Sequence, residues 1–267
     1  MNTNITIGMD LGDKYHIAVV FDSEGREVDV AKVNNTKAGI SKYFQSYKGS
    51  TVAIEAGTHS PWISRLLKQM DCQVYVGNPR KLRFIWDSTD KSDERDARML
   101  GMVCRIEPRL LWSIRHRSSQ AHADMAMIKS RYMLLKTRTK LINHARGVVK
   151  SNGERLPSCS SAYFAKRCAA HVPADLWPAL EPIFDTIAQV SARITELDAK
   201  IAHMCRHQYP ETQQLQQVSG VGPVTSLAYV LSIEDPARFI KSRQVGPFLG
   251  LWNSTKKITS YGYIFKY

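Results

Sequence analysis

Four carboxylates stand at positions where buried secondary structure should end. Asp10 closes the apolar run Ile5-Thr-Ile-Gly-Met-Asp10-Leu-Gly, and Glu55 closes Thr51-Val-Ala-Ile-Glu55. Asp93 and Asp96 lie in Lys91-Ser-Asp93-Glu-Arg-Asp96-Ala-Arg98, where a helix should begin. Three residues apart on a helix, they share a face. An acid at the end of a buried strand is costly unless a cation compensates it. Oxygen-only ligands suit Mg2+ or Mn2+ rather than zinc. Two such ions, held about 3.5–4 Å apart, serve phosphoryl transfer by activating one oxygen and stabilising another. Taken singly, each acid reads equally well as a surface residue, and Asp93 as a helix cap with Asp96 in the first turn that the helix dipole favours.

The elements that must position these acids are legible as patterns. Residues 5–11, 16–22 and 27–33 are short apolar or β-branched runs separated by hairpin-length loops, which predicts an antiparallel meander. Thr36 is placed to cap a helix over 37–48, and 51–55 reads as a fourth strand. A helix over 60–70 opens with Ser60-Pro61, 72–76 reads as a fifth strand, Asn78-Pro79 starts a helix, and another takes 93–105. The order β-β-β-α-β-α-β-α is that of the ribonuclease H-like α/β fold.

Beyond residue 112 the character changes. Residues 115–150 carry nine Lys/Arg against one acid, Asp124. Apolar pairs recur at sevens (Met127/Ile128, Leu134/Leu135, Leu141/Ile142, Val148/Val149), so this is one amphipathic helix. Its polar face is expected to hold Lys129, Arg131, Lys136, Arg138, Lys140, Arg146 and Lys150. After a Ser/Gly/Pro break at 151–160, residues 176–207 show a heptad seam through Ile183, Ile187, Val190, Ile194, Leu197, Ile201 and Met204. The two helices predict an antiparallel coiled-coil arm, either a simple intramolecular hairpin or one that also meets a partner chain. From about 211, Val218-Ser-Gly220-Val-Gly222-Pro223-Val-Thr225 precedes an apolar helix over 226–233. Gly220, Gly222 and Thr225 fit a helix-hairpin-helix turn whose amides approach a phosphate, or a plain tight turn. The division expected is 1–112, 113–210 and 211–267.

The chain of 267 residues has a net charge of +13, an excess that attracts polyanions, nucleic acid above all. Arg80, Lys81, Arg83, Arg95 and Arg98 flank the acids and are candidates for holding substrate phosphates, with a solvated basic face as the alternative. Five isolated cysteines without a CxxC fit free thiols in a reducing cytosol. No window approaches the roughly 18 apolar residues of a membrane helix, and no signal peptide is evident, so a cytoplasmic protein is expected. His203 and His207 are four apart but have no evident third ligand.

The segments Gly8-Met-Asp10-Leu-Gly, Ile54-Glu55-Ala-Gly-Thr, Asn78-Pro-Arg80, Lys91-Ser-Asp93-Glu-Arg-Asp96-Ala-Arg98, Val218-Ser-Gly-Val-Gly-Pro-Val-Thr, Asp235-Pro-Ala-Arg-Phe239 and Phe248-Leu-Gly-Leu251 resemble the insertion-sequence transposases of the Piv/MooV DNA-invertase family. The resemblance spans nearly the whole chain. It implies a RuvC-like domain whose Asp10, Glu55, Asp93 and Asp96 bind Mg2+, and a small C-terminal domain with a serine nucleophile that links transiently to DNA. It also implies DNA partners, a structured non-coding bridge RNA and a homo-oligomer. The end departs from the family pattern: after Leu251 the chain runs Trp-Asn-Ser254-Thr-Lys-Lys-Ile-Thr-Ser260 into an aromatic tail. Ser260 is the nearest candidate nucleophile and Ser254 the second, and the expectation is a truncated copy defective in recombination. Two other readings stay open: a RuvC-like structure-selective endonuclease without serine chemistry, and a non-catalytic nucleic-acid-binding remnant.

Overall fold

Residues 5–82 and 92–251 are described by the computed structural model. They form two compact units, Met1–His116 and Arg117–Tyr267. In the first, β1 (Thr6–Leu11), β2 (Tyr15–Phe21), β3 (Glu27–Asn34), β4 (Thr51–Glu55) and β5 (Gln73–Gly77) make one mixed sheet in the order β3-β2-β1-β4-β5. The three N-terminal strands pair antiparallel, while β1–β4 and β4–β5 are parallel. This is the meander followed by crossovers that the hydrophobic runs predict, and it is consistent with a ribonuclease H-like α/β domain.

The crossover helices are α1 (Lys37–Phe44), extended by a 3-10 turn, and α2 (Ser60–Gln69). Thr36 caps α1, its hydroxyl accepting from the Gly39 amide at 3.0 Å. Ile40, Phe44, Ile63 and Leu67 of these helices pack on Ile7, Met9, Val52 and Ile54 of one sheet face. Strand side chains alternate, so Gly8, Asp10, Ala53 and Glu55 belong to the opposite face. That face is covered by α3 (Asp93–Ile106), whose Ala97 packs with Val19 and Phe21, and whose Leu100 and Cys104 pack with Ala53.

The close approach of α3 to β1 depends on Gly8. A methyl group placed there would lie 1.9 Å from the Ala97 carbonyl oxygen and 2.3 Å from the Gly101 amide nitrogen. Those are backbone atoms that cannot move aside. Gly101, opposite, would meet the buried Phe21 ring at 2.6 Å and the Gly8 amide nitrogen at 3.0 Å, a looser approach to backbone. Asn78-Pro79 leads into a turn over the described residues 78–82 rather than a helix; the remainder of that expected helix lies outside the described residues.

In the second unit, α4 (Ser119–Ser151) runs antiparallel to α6 (Trp177–His207), with the short α5 (Phe164–Cys168) between them in sequence. The direction follows from paired contacts. Ile128 and Ile201 share one cluster, Arg131 bonds Asp198, Arg138 lies 3.3 Å from the Ser191 hydroxyl, and Ile142 and Val149 share a cluster with Leu180 and Ile187. Each step along one helix is matched by a step back along the other. The sequence reading placed the phase of α4 incorrectly for its arginines. The buried positions are Ala121, Asp124, Met125, Ile128, Arg138, Ile142, Ala145 and Val149, and Arg131 is half-buried against Asp198, so both arginines enter the seam at the spacing of core residues. Arg146 donates to the Leu156 and Pro157 carbonyls at 3.1 and 3.0 Å. These three arginines hold the unit together and do not form an outward polar face. A short α7 (Thr212–Leu215) and α8 (Pro223–Ile233) complete a cluster in which Leu227 and Leu231 meet Met125 and Ile128, and α9 (Val245–Phe248) follows. Among the described residues no helix is long and apolar enough to cross a membrane.

Gly8→Ala should destabilise the chain by about 3 kcal/mol, the upper range for forced overpacking, whereas Gly101→Ala should cost less, because it meets backbone only at 3.0 Å and the helix gains propensity. Urea denaturation of both variants measures this; equal losses would refute the backbone-contact argument.

Candidate functional site

Asp10 and Glu55 come abreast because β1 and β4 are parallel neighbours in the register Gly8↔Ala53 and Met9↔Ile54. One residue further, both carboxylates emerge at the strand ends on the α3 face. The helix supplies the other two. Ser92 caps it, its hydroxyl accepting from the Arg95 amide at 3.3 Å, so Asp93 is the first helical residue and not the cap. Asp93, Glu94 and Asp96 all occupy the first turn, where the positive end of the helix dipole favours acids. Since Ala97 sits over Gly8, the turn before it hangs over the end of β1.

The acids of the helix lie close enough to act on those of the strands. Burial raises Asp10 from the ordinary 3.8 to about 6, with the Asp93 and Asp96 charges adding to the effect and the Leu11 amide opposing it. Burial raises Glu55 from 4.5 to about 7, with Asp10 and Asp96 adding. Asp96 acts on both strand acids and is the hinge of the cluster. Among the described residues, no three His, Cys, Asp or Glu side chains already converge as a metal cage. The cluster is open, an all-oxygen donor set whose members repel one another. That donor set fits a hard divalent cation, which would relieve the repulsion once the side chains close on it.

The basic residues expected around the acids divide. The Arg98 guanidinium is taken by Glu27 at 2.8 and 3.0 Å and by Glu94 at 2.6 Å, so it braces α3 against β3 and is not offered to a phosphate. Arg80 is exposed in the turn after β5, Lys81 lies 5.2 Å from the Trp112 ring centre, and Arg95 follows the cap on α3. Arg83 lies outside the described residues, as do Ser254 and Ser260.

On the second unit Lys129, Lys136, Lys140 and Lys150 are exposed along α4, with Lys136 4.7 Å from the Tyr132 ring centre. Gly220 has φ +85°, a left-handed turn that suits glycine. Gly222 is the residue before α8, and a methyl group on it would meet nothing within 4 Å. Thr225 is exposed in the first turn of α8. The helix before these glycines, α7, has only four residues, so two full helices do not flank the turn. The role of Gly101 was missed in the sequence. Its signal was available, because glycine inside a helix costs about 1 kcal/mol against alanine and invites a reason.

In metal-free buffer, folded chains hold protons on Asp10 and Glu55 that unfolded chains release near pH 4. Between about pH 4 and pH 7 these two groups bind more protons in the folded state, so their contribution to stability falls as pH rises. Asp10→Asn and Glu55→Gln should each weaken that fall. Millimolar Mg2+ or Mn2+ at pH 8 should raise the parent Tm by on the order of a few degrees and raise the variants less. Thermal melts from pH 4 to 8 with and without the cation check this; the parent should lose stability relative to the variants as pH rises, and an identical pH dependence in all three chains would be the contrary result.

Comparison with known proteins agrees with this geometry. Residues 7–152 match the IS110 family of DEDD transposases, and residues 212–257 match a second family described as "Transposase IS116/IS110/IS902 family". A "Probable family 20 transposase" of Pseudomonas aeruginosa is 26% identical over 255 residues, covering 92% of this chain and 73% of that protein. The "Transposase for insertion sequence element IS1111A" of Coxiella burnetii is 22% identical over 253 residues, covering 92% of this chain and 67% of that protein. The chain belongs to the IS110/IS116 family of DEDD transposases.

Proposed function

We propose that this transposase cuts and rejoins DNA of an insertion sequence at the cleft formed by Asp10, Glu55, Asp93 and Asp96. The observation that carries the reading is that Asp10 and Glu55 stand abreast at the ends of neighbouring parallel strands, within electrostatic reach of the acidic first turn of α3, in a chain of net charge +13. Acids at a cleft in a basic protein suit a polyanion, and Asp10, Glu55, Asp93 and Asp96 are the residues that would hold a divalent cation for phosphodiester chemistry. Mg2+ or Mn2+ bound there would polarise the phosphodiester and lower the pKa of the attacking hydroxyl. The carboxylates themselves hold charge at fixed places, Asp10 and Glu55 from rigid strands and Asp93 and Asp96 from a capped helix.

The nucleophile is assigned to Ser260, with Ser254 second. In that step the serine oxygen bonds to phosphorus, its proton leaves to solvent or a carboxylate, and a DNA hydroxyl is displaced. The closer likeness to the Piv/MooV invertases, a guiding non-coding RNA and a homo-oligomer rest on the sequence motifs. Exposed Lys129, Lys136, Lys140 and Lys150 along one helix, and the open backbone at Gly220, Gly222 and Thr225, support contacts to nucleic-acid phosphates.

The test is denaturing-gel analysis of the full chain with Mg2+ or Mn2+, the flanking non-coding RNA and DNA carrying the element ends. Strand cleavage should depend on the cation and fall roughly 100-fold or more in Asp10→Asn and Glu55→Gln, as expected for losing several kcal/mol of transition-state stabilisation. A protein–DNA adduct absent from Ser260→Ala supports the serine step. Nicks without an adduct would leave a metal-dependent nuclease, and cleavage untouched by the acid substitutions would overturn the reading.

A further inference from the structure

An open groove of about 650 Å3 lies on the first unit, lined by Tyr75, Asn78, Lys81, Arg109, Trp112 and Ser113 among others. Trp112 is 57% exposed, an unusual place for the largest apolar side chain. It is not there by looseness. Its backbone adopts φ +47°, ψ +48°, a left-handed conformation that a bulky residue rarely takes. Its neighbours pin it. Leu111 is fully buried and its carbonyl accepts from the Asn78 amide at 3.0 Å. The Ser113 hydroxyl accepts from the Val76 amide at 3.0 Å, and the Ile114 amide donates to the Val76 carbonyl at 2.8 Å. Residues 111–114 are thus sewn to the outer edge of β5, and the indole is presented outward on a rigid base. Strain of this kind persists where the surroundings over-determine it, and functional surfaces are where it collects.

The groove also has a direction. Tyr75 pairs with Ala53, and Gly77 pairs with Glu55, so Tyr75 lies on the face of the sheet that carries the acids, one strand outward. Lys81 lies over the indole, while Arg109 at the groove wall is taken by Glu107 at 2.7 and 2.8 Å. A rigid exposed indole, a tyrosine and a cation are what an unpaired base and its phosphate need: a flat apolar surface to stack on and charge beside it. A duplex keeps its base faces covered and cannot use that surface.

We infer that Trp112 and Tyr75, with Lys81, form a stacking site for an unpaired base of a single-stranded nucleic acid that approaches the acid cleft from the β5 edge. This rests on the nucleic-acid reading of the cleft.

The test is fluorescence anisotropy of the full chain with labelled oligothymidine, oligouridine, an abasic strand of the same length and a blunt duplex. Trp112→Ala should weaken both base-bearing single strands about 10-fold, within the range for losing one stacked base. It should leave the abasic strand and the duplex unchanged, and Trp112→Phe should restore most of the loss. Lys81→Ala should instead lower the salt slope for every ligand by about one. Preference between the thymidine and uridine strands tells DNA from RNA as the source. Photo-crosslinking of a 5-iodouracil strand to the parent chain, mapped by mass spectrometry, keeps the test sound if Trp112→Ala folds poorly; the adduct is expected on Trp112 or Tyr75. A parent that binds single strands while Trp112→Ala binds them equally, with crosslinks elsewhere, overturns this inference alone. A parent that binds no nucleic acid overturns the cleft reading with it.

Discussion

Everything at the candidate site depends on how closely α3 lies on β1. The missing side chain of Gly8 lets the backbone at Ala97 and Gly101 settle onto the strand. That contact fixes the first turn of the helix over the strand ends, and so sets Asp93 and Asp96 against Asp10 and Glu55. The result is unfavourable taken alone, since partly buried acids repel and two of them are driven towards the protonated form. Packing elsewhere must hold them there. Ile7, Met9, Ile54 and the helices below form a dry layer on the opposite face, and Arg98 ties α3 to Glu27 at the far side. Stability sacrificed at the strand ends creates a place that a divalent cation would occupy with gain.

The positive charge of the chain divides into two kinds of work. Arg98, Arg131 and Arg146 each meet acids or carbonyls of the chain itself, and Arg138 is buried beside Ser191. They fix registers between elements, as buried polar groups in a helical seam can do. The exposed lysines on α4 are the ones disposed for an external polyanion. Net charge therefore overstates the surface available for nucleic acid, and the side chains have to be placed before they are counted.

The strands were legible because a half-buried sheet forces alternation and short loops force hairpins. All five strands and the acids at the ends of β1 and β4 follow from runs such as Ile5–Leu11 and Thr51–Glu55. The start of α3 was legible from the acids at Asp93 and Asp96, although the cap is Ser92 and not Asp93. The phase of α4 was not. Its apolar pairs at sevens define two adjacent stripes, and pattern alone does not say that Ile128, Ile142 and Val149 face inward with Arg131 and Arg138 between them. That choice is made by Asp198 and Ser191 on a helix some sixty residues away in sequence. The exposure of Trp112 was hidden for a similar reason, since hydrogen bonds to β5 set it and local sequence does not. The role of Gly8 in the approach of the helix emerged only once Ala97 was seen above it.

The central claim is that α3 and the strand ends assemble one divalent-cation site in which Asp96 serves both strand acids. Isothermal titration of Mn2+ into the parent, Asp96→Asn and Gly8→Ala chains at pH 8 tests it most directly. The account predicts binding to the parent and much weaker binding to Asp96→Asn, with a loss in Gly8→Ala where the helix is lifted from the strand although every acid is present. Equal binding by all three, or none by the parent, would contradict it.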